Sequence, residues 1–156
     1  MTVTLEKPIS TEPNELRDPA ELVSDETFAK LVRYATEHHH VHRFYAAEGV
    51  RQGLIYLKAV CDNPGVRIVP DMSVDPFWHD FLMHTQEYAE FCRDHNGGNF
   101  LHHVPIMLED IKSGAAMERT VPLLQATGYA VDMAWWETGE SCCPPNPPVP
   151  CTADPD

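Results

Sequence analysis

Six side chains able to bind a transition metal crowd into one short stretch: His79, His84, Cys92, His95, His102 and His103. The segment from Ser73 to Pro105 holds five of the nine histidines and one of the five cysteines. Imidazole nitrogen and thiolate sulfur are usual ligands for zinc and also suit copper and iron. No CxxC pair and no HExxH accompanies them, so the spacing matches no standard finger or metalloprotease helix. A divalent transition metal is the expected cofactor, zinc first, with iron or copper as alternatives.

Distance constrains how such a site can be built. Thirteen positions separate His79 from Cys92, roughly 20 Å along an unbroken helix at ~1.5 Å per residue. His79 and His84 would project about 140° apart on the same helix. A shared site therefore needs a break, and Thr85 is the natural point for it. Two helices meeting in an αα-corner there would bring His79 and Cys92 to comparable distances from the corner. The loop after Gly97-Gly98 would then fold back to deliver one or both of His102 and His103. His84 would sit at the corner, as a ligand or beside one.

Neighbouring groups have ordinary roles to set against special ones. Asp75 suits a helix N-cap, with orientation of His79 four residues on as the other role. Tyr88 and Trp78 suit the core, Tyr88 also being placed to support the ligands. Asp80, Glu87 or a spare imidazole of the 102–103 pair are candidate general bases if the site turns over a substrate. His95 beside Asp94 suits a helix C-terminus. The run His38-His39-His40-Val41-His42 reads as a solvated helix end that can also lend one ligand across a bundle. Cys92 as a hydrolytic nucleophile is disfavoured, because late in a helix the dipole does not lower a thiol pKa.

The elements that position these residues are helices. Ser24 or Asp25 caps a helix whose apolar face is Phe28, Leu31, Val32 and Ala35. Val50, Leu54, Leu57 and Cys61 mark a second, weakened by Gly49 and Gly53 and stopped by Asn63-Pro64-Gly65. Residues 66–69 are an extended connector. Asp75-Pro76 opens the third helix, Thr85 the fourth, and Asn96-Gly97-Gly98 closes it. A last helix runs from Ser113 past a kink at Pro122. The expected architecture is a small all-α bundle of four to five helices over residues 24–136. An extended acidic arm, residues 1–23, precedes it, and a Pro/Cys-rich tail with Cys142, Cys143 and Cys151, residues 137–156, follows.

Composition narrows the classes. The formal net charge is −13, from 24 acidic and 11 basic residues. That argues against a phosphate-backbone binder and against anionic membranes. The N-terminus lacks a basic region followed by an apolar one, so no secretory signal is expected and a cytoplasmic protein with reduced thiols is. Three functions follow: a closed structural site, an open site in a metal-dependent hydrolase or oxidoreductase, or a metal-delivery or partner-binding protein that uses the tail cysteines.

Val74-Asp75-x-x-Trp78-His79, then Tyr88-x-x-Phe91-Cys92, then Gly98-x-x-x-His102-His103-x-Pro105 resembles the glycine-rich-domain-containing-protein-like family, over about residues 28–108. Phe81 stands where that family has a second histidine, and its glycine-rich region is absent. The resemblance implies an all-α fold with a shared Cys/His site and supplies no reaction.

Overall fold

A computed structural model describes residues 15–105 and 108–137 and the backbone of 151–154. Its α-helices are α1 (Asp25–His39), α2 (Arg43–Asp62), α3 (Asp75–Met83), α4 (Thr85–His95), α5 (Glu109–Lys112) and α6 (Ala115–Gln125). Two 3₁₀ turns, Pro19–Leu22 and Met133–Trp135, flank the bundle. An antiparallel pairing joins β1 (His102–Pro105) to β2 (Cys151–Asp154). The fold is mostly helical, as the periodicity predicts.

The axis of the molecule is α2. Ile55, Tyr56, Leu57 and Ala59 are fully buried, and α1, α3, α6 and the first 3₁₀ turn all pack on it. Its middle, from Gly49 to Val60, is buried except at Arg51 and Lys58, and so apolar a stretch belongs in a core. Its one buried amide, Gln52, is satisfied at both ends of its side chain. The Oε1 accepts from Trp136 Nε1 at 2.9 Å and from the Asp132 N–H at 3.3 Å, and Nε2 donates to Glu48 at 2.7 Å. These bonds tie residues 132–136 to the bundle.

Local signals account for most boundaries. Ser24 Oγ accepts from the Thr27 N–H at 3.1 Å and starts α1. His40, at φ 55°, ends it in the left-handed region. The start of α3 differs from expectation, because Val74 rather than Asp75 is its cap residue. The turn is made one step earlier. The Asp71 carboxylate accepts the Ser73 N–H at 2.9 Å, and the Asp71 carbonyl accepts the Val74 and Asp75 N–H groups. Asp75 is thereby the first helical residue and its carboxylate is left to face along the helix. The end of the acidic arm is tied down: Arg17 pairs with Tyr129, and the Ala130 N–H donates to the Arg17 carbonyl at 2.9 Å. Residues 99–105, expected as a loop, end in β1, because residues 151–154 supply a partner strand that no local period reveals.

Gly49 and Gly53 lie four residues apart on the face of α2 that meets α3. A methyl at Gly49 would land on the Phe77 ring, which Tyr45, His39 and Trp135 already hem in. A methyl at Gly53 would meet only ordinary contacts, the closest at 3.6 Å. The two substitutions should therefore differ in sign. Gly49→Ala is expected to cost about 1–3 kcal/mol from overpacking, more than its propensity gain. Gly53→Ala should gain about 0.5–1 kcal/mol from propensity alone. Urea midpoints of the two variants check this, and equal shifts would contradict it.

Candidate functional site

The expected corner near Thr85 forms, although it does not bring His79 and Cys92 to one site. α3 ends at Met83, α4 begins at Thr85, and His84 alone joins them. His84 Nδ1 donates to the Asp80 carbonyl at 2.7 Å, which closes the last turn of α3 and fixes the ring tautomer. The corner turns Tyr88, Phe91 and Cys92 into the core.

Two of these α4 residues seat the returning chain. Gly97 and Gly98 adopt φ +60° and +88°, which reverses the chain at a position few other residues tolerate. Leu101 then enters the core with no exposed surface. Its N–H donates to Cys92 Sγ at 3.4 Å and its carbonyl accepts from Tyr88 OH at 2.8 Å. Tyr88 also accepts from Trp78 Nε1 at 3.3 Å. Both backbone polar groups of a buried residue are thus satisfied by side chains four apart on one helix.

From Leu101 the strand alternates. His102 is exposed, beside Phe100, and His103 turns to the bundle. The His103 ring stacks on Trp78, with centroids 5.1 Å apart and planes at 28°. Its Nε2 lies 3.1 Å from His79 Nε2. Asp75 Oδ1 lies 3.5 Å from the same His79 nitrogen. Asp75 and His79 are one helical turn apart on α3, and β1 brings the second imidazole from 24 residues away.

Cys92 is not an open thiol. Burial raises its pKa, partly offset by the Leu101 N–H. Cys61 is pushed up to about 12, by burial first and by the nearby Cys92 second. Because folding raises the proton affinity of Cys61, its contribution to stability is intact below the free-thiol value of about 8.5. It is lost as pH climbs toward about 12. The thiolate is the reactive form, so iodoacetamide at pH 7.5 should label Cys61 on the order of 10³-fold more slowly in the native protein than after unfolding. Peptide mass spectrometry of timed quenches reads this, and labelling at the free-thiol rate would sink the burial account.

The other candidates are engaged elsewhere. Asp80 is buried and its Oδ2 lies 2.8 Å from His39 Nε2. Glu87 pairs with Lys30, whose ammonium holds the carboxyl below its ordinary value. His95 Nε2 lies 2.9 Å from the Leu22 carbonyl and anchors the first 3₁₀ turn on α4. His38 stacks on Tyr34, whose ring edge also meets His84. The His39–Asp80 contact spans 41 residues and has no sequence signal. The Asp75–His79 contact has one, the i, i+4 spacing. The thiols of Cys142, Cys143 and Cys151 lie outside the described residues.

Among the described residues, no three His, Cys, Asp or Glu side chains are gathered as a group able to hold a metal as they stand. No helix among them is long and apolar enough to cross a membrane. What fold and site define is a small helical protein with a facing pair of imidazoles between a helix and a returning strand. The chain belongs to the UCP032817-like family, which matches residues 20–121. That corrects the resemblance to a glycine-rich-domain family, which no match supports. Of the residues that carried that resemblance, Trp78, Tyr88, Phe91 and Cys92 are buried packing positions here. No curated protein and no solved structure matches the chain.

Proposed function

We propose that this protein binds a divalent transition metal, zinc first, between His79 and His103, with Asp75 as the nearest carboxylate. One observation carries the reading, the 3.1 Å between the two Nε2 atoms. Two zinc–imidazole bonds of ~2.0–2.1 Å at a tetrahedral angle set their nitrogens about 3.3 Å apart. The 3.5 Å from His79 Nε2 to Asp75 Oδ1 is close to the same edge length. Cys92 is left out of the set because its sulfur is buried against the Leu101 N–H. His84 is left out because its Nδ1 serves the Asp80 carbonyl.

Two imidazoles do not close a tetrahedron, and Asp75 would have to move in to serve as a third ligand. The remaining position favours an open, exchangeable site over a structural one, and bound zinc there would supply Lewis acidity. The His79 side chain is 41% exposed, which gives a ligand access. The chain's own contribution is to hold the two rings: Trp78 stacks one and Asp75 faces the other. Iron and copper share the donor preference. A cytoplasmic setting fits the reduced buried thiols and the acidic charge, which also disfavours nucleic acid as a partner.

Calorimetric titration of the full chain with zinc tests the proposal, with amide and imidazole NMR shifts to place the ion. One saturable ion per chain, shifting the rings of His79 and His103, is expected. Absence of saturable binding up to millimolar zinc would overturn it.

A further inference from the structure

A second feature lies away from the His79–His103 pair, between α1 and α2 and beside His42. A groove of about 610 Å³ runs between these helices, lined by Arg33, Arg43 and Arg51 and by the apolar surfaces of Phe28, Val32 and Phe44. Its size falls within the range of about 300–1,000 Å³ usual for small-molecule sites. Its charge is opposite to that of the chain as a whole. Three of only 11 basic residues line it in a protein of net charge −13; Glu37 is the one acid among the lining residues, and Asp18 and Glu48 pair with Arg51.

The three arginines are not equivalent. Arg51 is committed: its Nε donates to Asp18 at 2.9 Å and its guanidinium lies over the Phe28 ring at 5.1 Å. It forms a fixed, flat wall. Arg33 and Arg43 are exposed and take part in no ion pair among the described residues. Phe44, beside Arg43, is 77% exposed, with the His42 ring centroid 5.3 Å away.

We propose that this groove binds a small amphiphilic organic anion. Its carboxylate or phosphate pairs with Arg33 and Arg43, and its aromatic or alkyl body lies against Phe28, Val32 and Phe44. A guanidinium presents its N–H groups in a planar fork that matches both acid groups, so the two share one recognition chemistry. The apolar walls exclude a bare inorganic ion as the preferred ligand. The proposal is independent of the metal reading, because none of these residues belongs to α3 or β1.

Titrating the full chain with 2-naphthoate, 2-naphthyl phosphate, 2-naphthylmethanol and inorganic phosphate, followed by backbone amide NMR, tests it. One or both aromatic anions should saturate and shift amides within 28–37 and 43–51. The relative affinity of the two tells carboxylate from phosphate. The neutral alcohol and inorganic phosphate should each bind at least tenfold more weakly. An Arg33→Gln/Arg43→Gln double variant should keep the wild-type spectrum elsewhere and lose at least tenfold in affinity. Equal binding of the alcohol, no saturation by either aromatic anion at millimolar concentration, or undiminished binding by the double variant would overturn the proposal.

Discussion

Replacing His103 by alanine is expected to lower zinc affinity by at least about 100-fold, while His102→Ala leaves it unchanged. The two residues are neighbours of the same type, so charge, composition and local propensity are matched. Only strand alternation separates them: His103 faces His79 and stacks on Trp78, and His102 faces out. Removing one of two imidazoles leaves a single strong donor and a carboxylate, too few to compete with water around a divalent ion. His79→Ala should match His103→Ala. Cys92→Ser should leave zinc bound, because the sulfur acts on the site only by seating Leu101. Competition against a chromophoric chelator gives all four affinities. Equal losses for His102 and His103 would show that the metal uses some other face of the loop.

The largest effect on stability is expected at Trp78. It has no exposed surface, meets Tyr56 edge to face, carries His103 on its ring and bonds Tyr88 through Nε1. Trp78→Ala should cost about 3–5 kcal/mol from lost burial and the cavity left behind. Trp78→Phe keeps much of the volume and should cost less, mainly through the lost bond to Tyr88. Denaturant unfolding followed by circular dichroism measures both, with the slope unchanged if only stability moves. A cost below about 1 kcal/mol for Trp78→Ala would mean the site can collapse and that the ring is not the platform described. Because His103 rests on this ring, Trp78→Ala should also weaken zinc binding through lost positioning.

The corner was legible at Thr85, which offers a helix start, although the shared His79–Cys92 site that first called for it is not formed, because Cys92 seats Leu101. The helices were legible as well, since Leu31, Val32 and Ala35, or Leu54 and Leu57, keep a 3.6-residue period. The pairing of ligands was less so. Cys92 looks like a ligand among histidines, yet its buried position four residues after Tyr88 makes it a clamp on Leu101. Burial of that kind depends on where the chain returns, which no local pattern encodes. Asp75 read as a cap because Asp-Pro so often starts a helix, but Asp71 had already made the turn. The His39–Asp80 contact and the arginine groove both join segments by packing rather than by spacing, so neither leaves a periodic trace.

The corner at His84 also bears on which changes of length the chain can absorb. Only one residue links α3 to α4, so an inserted or deleted residue in α4 would rotate everything after it by about 100°. Tyr88 and Cys92 would leave Leu101, and the strand carrying His103 would lose its anchor. The turn at Gly97-Gly98 is different, with open space around both glycines. Length variation among relatives should therefore collect between Asn96 and Asn99, while the span from Asp75 to His95 keeps a fixed count.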